Sequence, residues 1–422
     1  MPVINRVALG LLCTLACASL YAQQPENSGS LDLYIFSQQD DGGNPYQNED
    51  LLYYGARVAA RLKVSDTLTL RPTIGVAQIE AGGKPDTPST VTNATVTSAS
   101  QQGSASGGAT KYTPITTSMG FDIKPAGTKL TLSPGVFFSY QDNYVSRGLD
   151  FSASIELFNG NLIPSLSYGL RYDTLTSDTI GFWGIFGIAG DDDHGEDDED
   201  EDEDEDEGEE EDEEEGARTA MLGFRTRITH NVQLGFTQII SPEWRLNASV
   251  QYTRQDGYLG APNAVVTLYD DDTPVLLSDE RLPNYRNRFQ FNLRVKYSPL
   301  LGLSFGVDHS AYFDDWGILN LAAEPSAEGF FVRDIARWRV WYRFSYQDGT
   351  RFMRDHPQQK FKFQTDDPDL GSFTTHGGGA LFYFDVAHWG PVHWIVRVSG
   401  YAISRSDGIW GIGALLGTEF TW

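Results

Sequence analysis

The residues of this chain that could do chemistry are charged side chains set on every second position of long alternating stretches. Over 285–298 one face reads Arg286, Arg288, Gln290, Asn292, Arg294, Lys296, and the other reads Tyr285, Asn287, Phe289, Phe291, Leu293, Val295, Tyr297. Other stretches put Arg57, Arg61, Lys63, Arg225, Arg227, Arg245, Arg337, Arg339 and Arg343 on the same polar face, while those around 301–313 and 317–330 put Asp308, Asp314, Glu324 and Glu328 there. An acidic pair of strands between basic ones allows two kinds of chemistry. Opposite charges can pair across neighbouring strands and knit the polar face together. Alternatively, they set a transverse field across a wet lumen, orienting polar solutes or favouring anions, as rings of charged side chains do.

A second concentration of charge is the run at 191–215, which holds 22 of the 58 acidic residues, so that the net charge of −27 falls to about −5 elsewhere. Such a run cannot bury a core and is expected to be disordered. It is read either as a solvated loop that repels anionic surfaces or as a loose trap for divalent cations, since hard cations prefer carboxylate oxygens. Asp191, Asp192, Asp193, His194, Glu196 and Asp197 are its nearest approach to a ligand set. His388 and His393 flank a turn as HWGPVH, two histidines with no carboxylate or third ligand evident beside them. His309 is the one candidate base on an outward face, and no serine on the facing strands completes a nucleophile pair. Phosphate loops, HExxH and nucleic-acid patches are absent. The chain is therefore expected not to be an enzyme, to need no cofactor beyond loosely bound divalent cations, and to bind no nucleic acid.

The elements that position these side chains are strands. From Ile409 to Trp422 one face carries Ile412, Ala414, Leu416, Thr418, Phe420 and Trp422 and the other Gly411, Gly413, Leu415, Gly417, Glu419 and Thr421, the period of two that marks a strand with different surroundings on its two sides. No apolar run after residue 22 is long enough to cross a bilayer as a helix. The other structure that satisfies its backbone in lipid is a closed barrel. The composition, with 43 Gly, 24 Phe, 20 Tyr and 9 Trp at a mean hydropathy of −0.34, suits strands half in lipid and half wet.

Residues 1–22 read as an export signal: Arg6, an apolar stretch from Val7 to Ala18, and Leu20-Tyr21-Ala22 before the cut. Both cysteines, Cys13 and Cys17, lie inside it, which removes disulfides and thiolate-metal sites from the mature chain. The remainder, 23–422, divides into sixteen candidate strands, an even number as single-chain bacterial barrels require. Tight turns at Ser65-Asp66, Pro125-Ala126, Asn159-Gly160, Ser241-Pro242, Ser298-Pro299, Val332 to Asp334 and Trp389 to Pro391 alternate with links that are mostly longer, among them 80–109, 176–218, 256–284 and 349–376. The fold expected is all-β, a transmembrane antiparallel β-barrel of about sixteen strands. Its long loops face outward and both termini face the periplasm of a Gram-negative cell. The closing strand, with its terminal aromatic, is the expected signal for the barrel assembly machinery.

Several passages resemble a family of Gram-negative outer-membrane barrels that carries only the description of a domain of unknown function. These are THNVQLGFTQIISPEWRLNASVQYTRQDGYLGAP (229–262), LPNYRNRFQFNL (282–293), DDWGI (314–318) and RWRVWYRFSYQDGTRFM (337–353), with fainter echoes at 91–100 and 137–156. The resemblance covers most of the mature chain and implies an outer-membrane barrel with a signal peptide. It implies no substrate and no catalytic residue. Together these readings point to a pore or transporter for small polar solutes or ions, or alternatively to a closed structural or surface-binding barrel whose acidic loop binds divalent cations.

Overall fold

The computed structural model describes residues 27–41, 50–81, 110–141, 144–176, 224–260, 265–271, 273–332, 335–354 and 357–422. The expected signal (1–22), most of the 176–218 loop and the whole acidic run lie outside the described residues, and with them the cation candidates Asp191, Asp192, Asp193, His194, Glu196 and Asp197.

Alternation produces strands here because each one separates two solvents. In chain order they are β1 (Ser28–Asp40), β2 (Leu51–Ser65), β3 (Leu68–Ala81), β4 (Thr110–Tyr112 and Ile115–Ile123), β5 (Leu130–Gln141), β6 (Tyr144–Ile155), β7 (Leu162–Thr176) and β8 (Phe224–Ile239). There follow β9 (Trp244–Gly257), β10 (Tyr285–Leu300), β11 (Leu303–Asp314), β12 (Leu319–Val332), β13 (Ala336–Asp348), β14 (Phe373–Trp389), β15 (Val392–Arg405) and β16 (Ile409–Thr421). The two segments of β4 both pair with β3 and are one stave interrupted at Thr113-Pro114. Each strand runs antiparallel to its neighbours in sequence, and β1 pairs with β16 from Ser28↔Thr421 to Asp40↔Ile409, which closes the sheet. The result is a sixteen-stranded transmembrane-type barrel.

The outward faces carry an exposed apolar belt that includes Val58, Ile74, Leu149, Leu234, Val250, Val340 and Leu416. Aromatic side chains flank it, as expected where a barrel crosses from hydrocarbon to headgroups. At the end bearing the short turns, Trp244 stacks on Tyr297 (4.5 Å), Trp389 on Trp394 (5.9 Å) and Trp394 on Phe420 (6.1 Å). At the opposite end Phe289 lies between Tyr252 and Phe313. Both termini of the barrel lie at the turn end. The turn expected at Ser298-Pro299 falls instead at Leu301-Gly302, because β10 continues through a register shift after Tyr297. Proline, which has no N–H to give a ladder, is tolerated at such a break.

The loop end holds structure that alternation did not disclose. The β9–β10 connection forms a hairpin (Val265–Asp270 with Thr273–Asp279), and the β13–β14 connection contains a short 3-10 turn, Pro368–Leu370. The two interlock. Thr267 N donates to Asp366 Oδ2 (2.9 Å), Arg281 and Gln364 bridge through their backbones, and Gln364 Nε2 donates to Ser278 Oγ (3.1 Å). Leu259, Trp316 and Phe352 form the buried core of this rim, with Leu282, Phe363 and Leu370 around it.

The DDWGI passage is its keystone. Asp314 Oδ1 accepts from the N–H groups of Trp316 (3.0 Å) and Ile318 (2.9 Å), while Asp314 Oδ2 accepts from Arg286 Nε (2.8 Å) and Tyr312 Oη (2.7 Å). Asp315 grips both the backbone N–H and the side-chain amide of Asn287 on the adjacent strand. Trp316 then lies against the Arg286 guanidinium (4.2 Å) and donates its indole N–H to Tyr285 O. Gly317, at φ +97°, makes the turn that side chains with a Cβ resist. Removing the Asp314 charge strands the buried Arg286 guanidinium, while an amide oxygen can still accept from the two turn N–H groups, so Asp314→Asn should cost about 3–5 kcal/mol. A thermal shift of the heat-modifiable gel band checks this, with Asp348→Asn at the exposed rim as a neutral control.

Candidate functional site

The inward face of the barrel has two unlike halves. Across β10 to β13 long charged side chains meet in pairs: Arg286 with Asp314 and Arg294 with Asp308, while Lys296 meets Glu328, and Arg339 (3.4 Å) and Arg343 (3.5 Å) both meet Glu324. Of the other inward residues expected from sequence, Arg227 is buried against Asp173 (2.7 Å), Arg337 lies over the Tyr383 ring (4.2 Å) and Arg225 over Tyr258 (4.2 Å). Arg288 is buried opposite Asp314 in the ladder, and Arg245 sits opposite Lys296. Of the two chemistries open from sequence, cross-strand pairing describes this wall.

The other half, from β15 through β1 to β8, is walled by small polar residues. Ser118, Gly120, Ser133, Gly135, Ser152, Ser167 and Gly169 leave a cavity of about 820 Å³, into which Arg57, Arg61, Arg71, Arg171, Arg397, Asp150 and Glu419 also project. None of the inward residues singled out on β8 to β13 lines it. The expected charged stripe is thus the packed wall, and the space lies across from it. The physical cause is side-chain volume: long paired side chains fill a lumen that serine and glycine leave open.

One pair on the cavity side crosses a whole strand, and the others join neighbours. Asp32 on β1 bonds Arg57 on β2 (3.2 Å) and also Arg397 on β15 (2.7 Å), which reaches it across β16. It can do so because Gly417 stands opposite both in register; a Cβ there would lie 2.5 Å from Asp32 Oδ1. Arg71 pairs with Asp122 (2.9 Å) and Arg171 with Asp150 (2.8 Å). Sequence reasoning passed over Asp32, Arg71, Asp150, Arg171 and Arg397, although the same alternation marks them. Between the cavity and the loop end, Phe36, Leu51 and Ile79 form an inward apolar cluster with Tyr53, Tyr401 and Ile403, Phe36 stacking on Tyr401 at 5.9 Å. His309, read as a candidate base, faces outward in mid-strand between Leu293 and Ala323.

At the loop end the rim is tied to the barrel by Arg405. It bonds Asp369 (2.5 Å) and Pro368 O (3.1 Å) and lies over the Phe373 ring (3.8 Å). Beside it, burial and then the neighbouring carboxylates Asp369 and Glu280 push the Asp367 carboxyl up to about 8.

A model of the family described as Protein of unknown function (DUF3570) matches residues 56–414. No curated protein matches the chain. Among solved structures it is similar to a bacterial polysaccharide outer membrane secretin, at 10% identity and a TM-score of 0.42 over 93% of this chain and 98% of that one. It is also similar to OpdQ of Pseudomonas aeruginosa (10% identity, TM-score 0.41, 94% and 99% covered) and to OccK7 (OpdD) of the same organism (8%, 0.43, 94% and 99%).

Two outcomes follow from this geometry. Arg339→Glu sets a second carboxylate against buried Glu324, and breaking such a pair costs about 3–5 kcal/mol. The unfolding temperature should fall, and adding Glu324→Arg should recover part of the loss. The second outcome concerns pH. Asp367 has a folded-state value above its unfolded one, so it takes up a proton on folding; its contribution is complete below about pH 4 and is lost as pH rises through about 8. Hydrogen exchange in 349–372 should therefore accelerate between pH 6 and 9 beyond the intrinsic rate, and Asp367→Asn should remove that excess.

Proposed function

The chain belongs to the DUF3570 family, and from that premise we propose that it is an outer-membrane barrel passing small polar solutes along one side of its lumen, without catalysis. The cavity carries this reading: about 820 Å³ bounded by hydroxyls, glycines and guanidinium groups, inside a closed wall whose outside is apolar. That volume lies within the roughly 300–1,000 Å³ of ligand-sized cavities. Because Asp32, Asp122 and Asp150 offset Arg57, Arg397, Arg71 and Arg171, the cavity offers many hydrogen-bond partners and little net field. Selection would then rest on size and hydrogen bonding more than on charge. The Phe36 and Tyr401 cluster on the way to the loop end is the narrowing element, since hydrophobic constrictions resist wetting. In this reading the turn end, with both termini, faces the periplasm, and β16 is the strand presented to the assembly machinery.

The interlocked rim supports a second reading, a closed barrel that presents 258–284 and 349–372 as a binding surface. Conductance separates the two. Purified protein in planar bilayers should conduct, Gly135→Trp should lower the conductance by at least half, and Tyr401→Ser should raise it. Bilayers that stay silent with wild type and Tyr401→Ser alike would leave the binding-surface reading in place.

A further inference from the structure

At the turn end of β14 and β15 three inward side chains form a group that solute passage leaves unused. His388 and His393 are cross-strand partners flanking the Gly390-Pro391 turn, with ring centroids 4.1 Å apart at 61°. Asp385 joins them. In a regular strand, residues three apart face opposite sides. A register shift between Asp385 and Ala387 reverses the parity, so Asp385 and His388 both face inward. Asp385 Oδ2 lies 3.1 Å from His388 Nε2 and 3.6 Å from His393 Nδ1, and one ligand atom from each of the three falls within 4.8 Å of the others.

We propose that Asp385, His388 and His393 bind a divalent first-row transition-metal ion such as zinc at the turn-end mouth of the lumen, with a coordination position left open to the lumen. Ligand atoms at about 2.0–2.1 Å from a tetrahedral ion stand about 3.3 Å from one another, and the two Asp–His separations, 3.1 and 3.6 Å, bracket that value. Two imidazoles with one carboxylate suit zinc, nickel, cobalt or copper better than calcium or magnesium, which take oxygen ligands. A histidine–aspartate ion pair alone leaves Asp385 Oδ1 buried with no hydrogen-bond partner, against the rule that buried polar atoms are satisfied, and a carboxylate that holds the ion through both oxygens would satisfy it. The His388 and His393 side chains are 55% and 45% exposed, which leaves room for water or a passing solute to complete the coordination sphere. Trp389 and Trp394, stacked on the outer face, hold the hairpin that carries the set. This site stands whether or not the barrel conducts.

The test uses the full chain in detergent, stripped of metal, titrated with Co2+ and then Zn2+ in excess Ca2+, so that the carboxylates of the acidic run are already occupied. One Co2+ per chain should bind with the visible spectrum of a low-coordinate nitrogen–oxygen site, and Zn2+ should displace it. His388→Ala, His393→Ala and Asp385→Asn should each weaken Zn2+ binding at least tenfold, while outward-facing His230→Ala and His376→Ala change nothing. If an alanine variant loses its heat-modifiable band, His388→Gln or His393→Gln keeps the bulk without the imidazole and should show the same loss. Binding that survives His388→Gln and His393→Gln together, or a Co2+ spectrum of oxygen ligands alone, would overturn the assignment.

Discussion

The structure depends on one constraint: within hydrocarbon a backbone has no water to bond, so every N–H and C=O of the spanning segments must find a partner in the protein. A sheet meets that demand only when it has no edge. Closure of β1 onto β16 over thirteen paired positions is therefore the event from which the rest follows. It makes one face lipid and the other lumen, and it turns alternation along each strand into a sorting of solvents. It also requires the lumen near the seam to tolerate the approach of β15, β16 and β1. Gly417 serves that need by letting Arg397 reach Asp32 over the last strand.

Once closed, the barrel must fill or hydrate its interior, and this one does each on a different side. On β10 to β13 the long side chains of Arg286, Arg294, Lys296, Arg339 and Arg343 meet Asp314, Asp308, Glu328 and Glu324. For the buried Arg286–Asp314 and Arg339–Glu324 pairs this keeps the charge tolerable, because a buried charge left alone would cost several kcal/mol. From β15 round to β8, serine and glycine leave volume, and the guanidinium groups that remain are held back by Asp32, Asp122 and Asp150. The rim stands over the filled half, because the three connections that build it leave from β9, β11 and β13.

The most distinctive passage of the family resemblance, DDWGI, has a structural reason to be distinctive. Asp314 accepts two turn N–H groups and a buried arginine at once, Asp315 grips Asn287, and Trp316 plugs the rim core against Leu259 and Phe352. Each role has its own geometry, so each position is restricted independently. The same holds for the Arg286-Asn287 pair on β10. These residues hold the mouth in shape and reach the cavity only through that shape.

Much of the fold was legible from sequence, because in a membrane barrel the two solvents write themselves into every second residue. Tyr285 to Tyr297 and Ile409 to Trp422 state their faces and aromatic ends unaided, and the same alternation between turns along the rest of the chain supplies the strand count. Inward charges on β10 to β13 were legible for the same reason, but their use was not. Whether Arg339 lines water or meets Glu324 depends on register between strands, which alternation leaves open by any even shift. The cavity was missed because its walls announce themselves by what they lack, and serine or glycine on a strand reads as neutral. Phe36 and Tyr401 inside the lumen break the apolar-outside pattern and needed the closed ring to place them. The interlocked rim rests on contacts between loops far apart in sequence, as between Thr267 and Asp366. Asp385 shows the limit most plainly: its spacing from His388 puts the two on opposite faces of any regular strand, and only the bulge, a tertiary accommodation to the neighbouring strand, brings carboxylate and imidazoles together.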